Sequence, residues 1–230
     1  MNGENLVCYT YMNNTIILGI ETSGILCSVA WWQNGSIVLE YNAERKNEHA
    51  VILAEFVDKG FKEAGIDPRE TSYVAIGSGP GSFTGLRIGM SYAKGFCYGY
   101  EIPLFPVTHF EILAHLVDHS VSPLYTLIEA GKGRYFTGIF EMDKTKPVEK
   151  GVYSISELED RIQDNGVIII HEEISKGYFT QYFQKPVRII DGQYSASVIC
   201  RIAEHKSLTQ QRISLNEIEP LYLQAFAGIT

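Results

Sequence analysis

The chain has 230 residues and a mass of 25.8 kDa, enough for a real core in one domain or in two small lobes, with a folded surface of about 10,000 Å². Hydrophobic residues make up 45% and charged residues 20%, an ordinary soluble-globular composition. Nineteen basic against 27 acidic side chains give a net charge of −8, which argues against a chain that grips nucleic acid alone, because phosphate neutralisation supplies most of that affinity.

Met1 to Tyr11 carries no Lys or Arg and no apolar core, so it does not read as a secretory signal. Residues 1–14 are expected to be an N-terminal extension, and no stretch reads as a membrane span. Ile16 to Ile20 is a short apolar strand, and Ile25, Cys27, Val29 and Trp31 alternate along a second. Asn34-Gly35 is a hairpin signal, and Ile37, Leu39 and Tyr41 continue on a third strand. Asn47 is positioned to cap a helix whose apolar face is Ala50, Leu53, Ala54, Val57, Phe61 and Ala64, with Gly65 ending it. Tyr73 to Ile76 reads as a buried strand. A glycine-rich loop from Gly77 to Gly85 follows, then a helix to about Gly99, a strand over Pro103–Val107 and a helix over Thr108–Val117.

Near residue 120 the pattern restarts. Strands are expected at Leu124–Glu129, Arg134–Phe140, Val167–Ile170 and Val187–Ile190, with helices over 155–164, 174–182 and 195–205. Gly19-Ile20-Glu21-Thr22-Ser23-Gly24 and Leu127-Ile128-Glu129-Ala130-Gly131-Lys132-Gly133 share a plan of strand, acid, small-residue turn and strand, which suggests a duplicated lobe. The expected fold is α/β, with a βββαβαβα lobe over 15–118 and a smaller related lobe over 119–230.

The most pointed local signal is Gly79-Pro80-Gly81-Ser82-Phe83-Thr84-Gly85-Leu86-Arg87-Ile88-Gly89. It leaves a strand and opens a helix, where unpaired backbone N–H groups suit an anion. It is neither a P-loop nor a dinucleotide fingerprint, since no Lys-Ser/Thr follows and Thr84 stands where the fingerprint needs glycine. Gly79, Gly81, Ser82, Thr84 and Arg87 are candidate phosphate contacts, weighed evenly against simple tight packing. The helix itself carries two small-residue stripes, Gly85/Gly89/Ala93 and Ser91/Gly95/Gly99. Each internal glycine costs about 1 kcal/mol against alanine, so close approach of another backbone is implied. Gly85, Gly89, Ala93, Gly95 and Gly99 are therefore a candidate partner interface, with packing on the chain's own sheet as the plainer alternative.

Glu21 and Glu129 are candidate cleft acids, general bases or metal-linked, with the capping of a hairpin turn as the plainer alternative. Lys132 and Arg134 are the best basic candidates for a phosphate, more simply solvated turn charges. The histidines are read as surface or capping residues, because His109 has Leu113 where a helical metal pair needs a second ligand. Cys8, Cys27, Cys97 and Cys200 show no C-x-x-C spacing, which argues against a zinc knuckle or a disulfide framework and fits a reducing cytoplasm. No catalytic residue and no metal site is assigned.

Ile17-Leu18-Gly19-Ile20-Glu21-Thr22-Ser23, the Gly79–Gly89 motif and Glu219-Pro220-Leu221-Tyr222-Leu223 together resemble the TsaB (YeaZ) family. The resemblance runs from about Met12 to Leu223. It implies a two-lobed actin/Hsp70/sugar-kinase-like (ASKHA) fold. It also implies a non-catalytic subunit of the bacterial machinery that makes threonylcarbamoyladenosine at position 37 of tRNAs reading A-starting codons. The implied partners are a TsaD-type catalytic paralogue and a TsaE-type ATPase, with ATP and a metal on those subunits and no cofactor in the isolated chain. tRNA would be reached only through the complex, and the chain would form a homodimer without its partner. TsaD-type chains carry Val-Asn-His-Met-Glu-Gly-His, where this chain has Val107-Thr108-His109-Phe110-Glu111-Ile112-Leu113, so the second metal ligand is missing. Glu21 and Glu129 stand where many members have Asp. The alternative is an independent ATP-dependent transferase or peptidase of the same fold.

Overall fold

Strands β1 (Ile16–Glu21), β2 (Leu26–Gln33) and β3 (Ser36–Glu44) form an antiparallel meander. Its Asn34-Gly35 turn has positive φ at both residues (50° and 83°), as the type I′ geometry requires. The computed structural model describes residues 14–44, 48–171, 179, 183–209 and 213–223. Almost all of the expected N-terminal extension, Cys8, the Asn47 cap and most of the helix expected over 174–182 lie outside the described residues.

Helix α1 (His49–Ala64) follows and ends at Gly65 in the left-handed conformation. Its buried face is Ile52, Leu53, Val57, Gly60 and Phe61, whereas Ala50 and Ala54, expected inside, are exposed. The Trp31 indole explains the rotation: it fills the space that a side chain at position 60 would occupy. Strand β4 (Tyr73–Gly77), helix α2 (Phe83–Tyr100), strand β5 (Leu104–Val107) and helix α3 (His109–His115) complete the first run. The sheet order is β3-β2-β1-β4-β5, with β1, β4 and β5 parallel.

The second run is β6 (Leu124–Gly131), β7 (Arg134–Phe140), β8 (Glu149–Ser154), helix α4 (Ile155–Arg161), β9 (Val167–His171), β10 (Arg188–Gly192) and helix α5 (Ala196–Thr209). Its order, β10-β9-β6-β7-β8, repeats the first sheet strand for strand, including which pairs are parallel. This duplicated mixed-sheet topology is the ASKHA plan. β8 is the strand that the sequence pattern does not reveal. It is an edge strand, exposed at Glu149 and Lys150 and half-buried beyond, and Glu149-Lys150-Gly151 carries no alternation.

Helices α1 and α2 cover one face of the first sheet, with Leu18, Ile20, Val29, Leu53, Phe61, Ile76 and Met90 between them. Helices α3 and α5 form a layer between the two sheets, where Ile17, Ala75, Phe110, Leu113, Leu124, Ile169, Ile199 and Cys200 share one core. Chain order alone assigns α5 to the second lobe, yet it packs on β1, β2, β4 and β5 of the first sheet. Residues 219–223 return to the first sheet as well, with the Leu221 N–H donating to the Ser78 carbonyl at 2.7 Å. Among the described residues no helix is long and apolar enough to cross a membrane.

Candidate functional site

Three segments converge at the C-terminal ends of β1, β4 and β5: the turn after Glu21, the loop Ser78–Ser82 and the start of α3. Thr108 and Glu111 cap α3 reciprocally, which fixes His109 at its first turn. His109 is fully buried, with Ser23 Oγ 3.1 Å from Nε2 and two closer acceptors. Nδ1 lies 2.5 Å from the Pro80 carbonyl oxygen and Nε2 lies 2.8 Å from Glu21 Oε2. The Pro80 carbonyl can only accept, so Nδ1 donates to it; with Glu21 ionised, Nε2 donates as well and the ring is an imidazolium.

The other carboxylate oxygen, Glu21 Oε1, accepts from the Ser23 backbone N–H and from the Ser23 hydroxyl, each at 2.6 Å. Burial pushes the Glu21 carboxyl up, but the His109 charge and these hydrogen bonds outweigh it and hold the carboxyl down at about 2. Burial pushes the imidazole down, and the Glu21 charge with its hydrogen bond more than reverses this, raising His109 above its ordinary value. The result is a buried ion pair. A Cβ at Gly77 would stand 1.8 Å from Glu21 Oε2, so only glycine lets the carboxylate lie there.

This geometry corrects two expectations. Glu21 is 1% exposed and bound to His109, so it is not an acid facing an open cleft, while Glu129 is exposed at the cleft wall. His109 is neither surface nor cap, and with both nitrogens engaged it offers no lone pair to a metal. Leu113, at the position of the missing ligand, is buried in the core. Among the described residues no group of three His, Cys, Asp or Glu side chains is placed to hold a metal ion.

The loop residues also have structural tasks. The Ser82 hydroxyl caps α2 by accepting the Gly85 N–H, and the Ser82 N–H donates to the Ser23 carbonyl at 3.1 Å. Gly79, at φ 105°, accepts the His109 N–H. Thr84 and Gly81 line the cleft, whereas Arg87 lies over the Phe83 ring at 3.7 Å, and that ring also meets Tyr222. Gly85, Gly89 and Ala93, expected at a partner surface, are buried inside this chain. A Cβ at Gly85 would meet the Thr22 carbonyl oxygen at 2.1 Å, and one at Gly89 would meet Thr22 Oγ1 at 2.4 Å. Packing of the β1–β2 turn on α2 accounts for that stripe. The other stripe differs: Ser91, Gly95 and Gly99 are exposed, and a Cβ at either glycine meets nothing.

Beside the ion pair opens a cleft of about 870 Å³, walled by Ser23–Ile25, Pro80–Leu86, Ile128–Gly131, Phe136 and Leu221–Leu223. Among the described residues no Lys or Arg lines it. Its floor is a stack that sequence reasoning missed. Tyr194 lies between the rings of His109 (4.3 Å) and His171 (4.0 Å). Burial, followed by repulsion from His109, pushes His171 down to about 4, so it is neutral against a charged neighbour. No local signal marks His171 or Tyr194, since the stack joins residues brought together only by the return from the second sheet. Lys132 is a turn residue at positive φ, and Arg134 donates to the Val152 carbonyl at 2.8 Å.

The family model for tRNA N6-adenosine threonylcarbamoyltransferase (TsaD) matches residues 39–204. A Bacillus subtilis tRNA threonylcarbamoyladenosine biosynthesis protein TsaB is 29% identical over 125 residues, 54% of this chain and about half (55%) of that relative's length. The Haemophilus influenzae protein of the same name is 23% identical over 229 residues, 93% of this chain and 95% of its own. The solved structure of YeaZ from Pseudomonas aeruginosa superposes with a TM-score of 0.75 at 22% identity, covering 91% of this chain and 100% of that one. The shared fold, the matched family model and the motif at Gly79–Gly89 place the chain in the tRNA N6-adenosine threonylcarbamoyltransferase family, in its TsaB (YeaZ) branch.

Proposed function

We propose that this chain is a non-catalytic scaffold subunit that binds a TsaD-type paralogue and makes it competent for threonylcarbamoyl transfer to adenosine 37 of tRNA. The observation that carries this reading is the use of His109. A residue that the catalytic paralogue's motif devotes to metal is here locked in a buried ion pair, with Leu113 in the core beside it. The Gly79–Gly89 loop likewise serves packing and capping, and Ser82 is spent as a cap rather than a nucleophile. These features weigh against the independent transferase or peptidase.

The partner surface we favour is the outer face of α1 and α2. Tyr98 is 82% exposed on the same helix as the exposed small residues Ser91, Gly95 and Gly99, and Val51 on α1 is 71% exposed. Large exposed apolar groups next to small ones allow close helix–helix approach. Without the paralogue the same face would pair with a second copy, giving a homodimer. ATP and the metal would be held by the partner subunits, including a TsaE-type ATPase, and tRNA would be reached through the assembled complex in the cytoplasm. The chain acts by differential binding, stabilising the active form of its partner.

Reconstitution tests this. Transfer to tRNA is measured with the paralogue alone, this chain alone and both together. Activity only in the mixture is expected, and transfer by this chain alone would overturn the reading. Tyr98→Asp should weaken association about tenfold or more at an unchanged melting temperature. Unimpaired association would move the interface elsewhere.

A further inference from the structure

The β1–β2 turn that packs on α2 also opens the way to the floor of the cleft. Gly24, the last residue of the turn motif shared by the two hairpins, lines the cleft without a side chain. A Cβ there would lie 3.5 Å from the Tyr194 ring and 3.8 Å from both Cε1 and Nε2 of His171, so this edge of the imidazole is reached past Gly24. His171 closes β9, is only 4% exposed, and lines the cleft. Its ring stacks on Tyr194 and makes no hydrogen bond among the described residues.

A buried ring nitrogen without a partner is costly, and such a group in a native fold calls for a ligand, ion or water to complete it. Neighbouring polar side chains are committed elsewhere. The Ser23 hydroxyl donates to Glu21 Oε1 at 2.6 Å, the Ser82 hydroxyl caps α2, and His49 Nε2 donates to the Ile25 carbonyl at 3.3 Å. Much of the remaining wall is apolar, and Phe83, Phe136 and Tyr222 bring three aromatic rings to it. Glu129 adds a carboxylate that no ion pair joins among the described residues. Burial and the His109 charge keep the His171 imidazole neutral, so it offers one N–H donor and one acceptor rather than a charge. Apolar walls around a single placed hydrogen-bonding group, in about 870 Å³, match the build of small-molecule sites.

We propose that this cleft binds a small uncharged aromatic molecule whose hydroxyl or ring N–H pairs with the His171 imidazole while its apolar body lies against the aromatic wall. The ligand class is that of phenols and N–H heterocycles. The Glu129 carboxylate disfavours an acidic ligand, because like charges brought together in a partly desolvated place repel. Such a site goes beyond the scaffold role and does not rest on it, since neither His171 nor Gly24 lies on the α1–α2 face.

The test follows the His171 ring resonances of the full chain by NMR at a fixed, near-neutral pH, with ligand-observed saturation transfer as the second readout. Three probes are titrated: 4-methylphenol, toluene, which lacks the hydroxyl, and 4-hydroxybenzoate, which adds a carboxylate. Saturable shifts at His171 are expected with 4-methylphenol. Toluene should bind about tenfold more weakly, the worth of one hydrogen bond to a buried group. 4-Hydroxybenzoate should also bind about tenfold or more weakly. His171→Phe keeps a flat ring against Tyr194 and loses the ring nitrogens, so the two neutral probes should bind it alike. Gly24→Ala adds a carbon that makes only ordinary contacts, so the fold is kept, and the carbon stands beside Nε2. It should narrow the same preference, and it carries the test if His171→Phe does not fold. The proposal is overturned by no saturable shift at His171, by toluene binding as tightly as 4-methylphenol, by tighter binding of 4-hydroxybenzoate, or by a hydroxyl preference undiminished in the folded variants.

Discussion

Replacing His109 with leucine should destabilise the fold by about 3–5 kcal/mol, because it leaves the Glu21 carboxylate buried without its counter-charge. Glu21→Gln should be costly for the mirror reason, since the buried imidazolium would lose its counter-charge and keep only neutral acceptors such as the Pro80 carbonyl. The double variant should recover part of the loss, as two neutral groups need no mutual compensation. Urea unfolding of the four proteins measures the coupling. Strictly additive losses, or single losses under about 1 kcal/mol, would remove the ion pair from the account of the site.

The same pair sets a pH profile. Glu21 is depressed from 4.5 to about 2, so its contribution is complete above 4.5 and is lost as pH falls from there through 2. His109 is raised above 6.5, so its contribution is complete below 6.5 and is lost as pH rises through the folded-state value. Stability from this pair should therefore be flat between about pH 4.5 and 6.5 and decline on both sides. The Glu21→Gln variant should lose the acid limb that this carboxylate generates. An acid limb unchanged in the variant would assign it to other carboxylates.

Periodicity or a short apolar run was sufficient for the buried elements. The meander and the restart near residue 120 follow from alternation, β4 from a short apolar run and α2 from its place after the glycine-rich loop, and the shared turn motif anticipated the repeated sheet. Edge and crossover features were not legible. β8 has an exposed ladder edge and no alternation, so nothing in Glu149–Ser154 distinguishes it from a loop. α5 reads as an ordinary amphipathic helix, and only its tertiary position shows that it covers the first sheet. The site divides the same way. The Gly79–Gly89 loop is visible from residue types, but the ion pair of Glu21 and His109 spans 88 positions and depends on parallel strands β1 and β5 ending at the same edge on either side of β4. Spacing along one helix, the test applied to the histidines, cannot reveal a partner on another strand.

The two glycine stripes of α2 should respond in opposite directions, and this separates packing from partner binding. Alanine in place of glycine gains about 1 kcal/mol of helix propensity at any interior position. At Gly95 nothing opposes that gain, because the added carbon meets open space. Gly95→Ala should therefore stabilise the isolated chain by about 1 kcal/mol. At Gly85 the same carbon would press on the Thr22 carbonyl oxygen and on Ser23 Cα, both backbone atoms that cannot rotate away. Overpacking costs of about 1–3 kcal/mol exceed the propensity gain, so Gly85→Ala should be destabilising. Displacing Thr22 would also disturb its hydrogen bond to the Gly85 carbonyl, 2.8 Å long, and the neighbouring Ser23 that holds Glu21. Enlarging the exposed site further, as Gly95→Leu, should leave the isolated fold at least as stable as the native chain while blocking close approach of a partner helix. Thermal unfolding of the isolated chains and association with the TsaD-type paralogue give two independent readouts. If Gly95→Leu binds the paralogue normally, the exposed stripe is not the contact, whereas a stabilised Gly85→Ala would show that the β1–β2 turn does not nest on α2 as described.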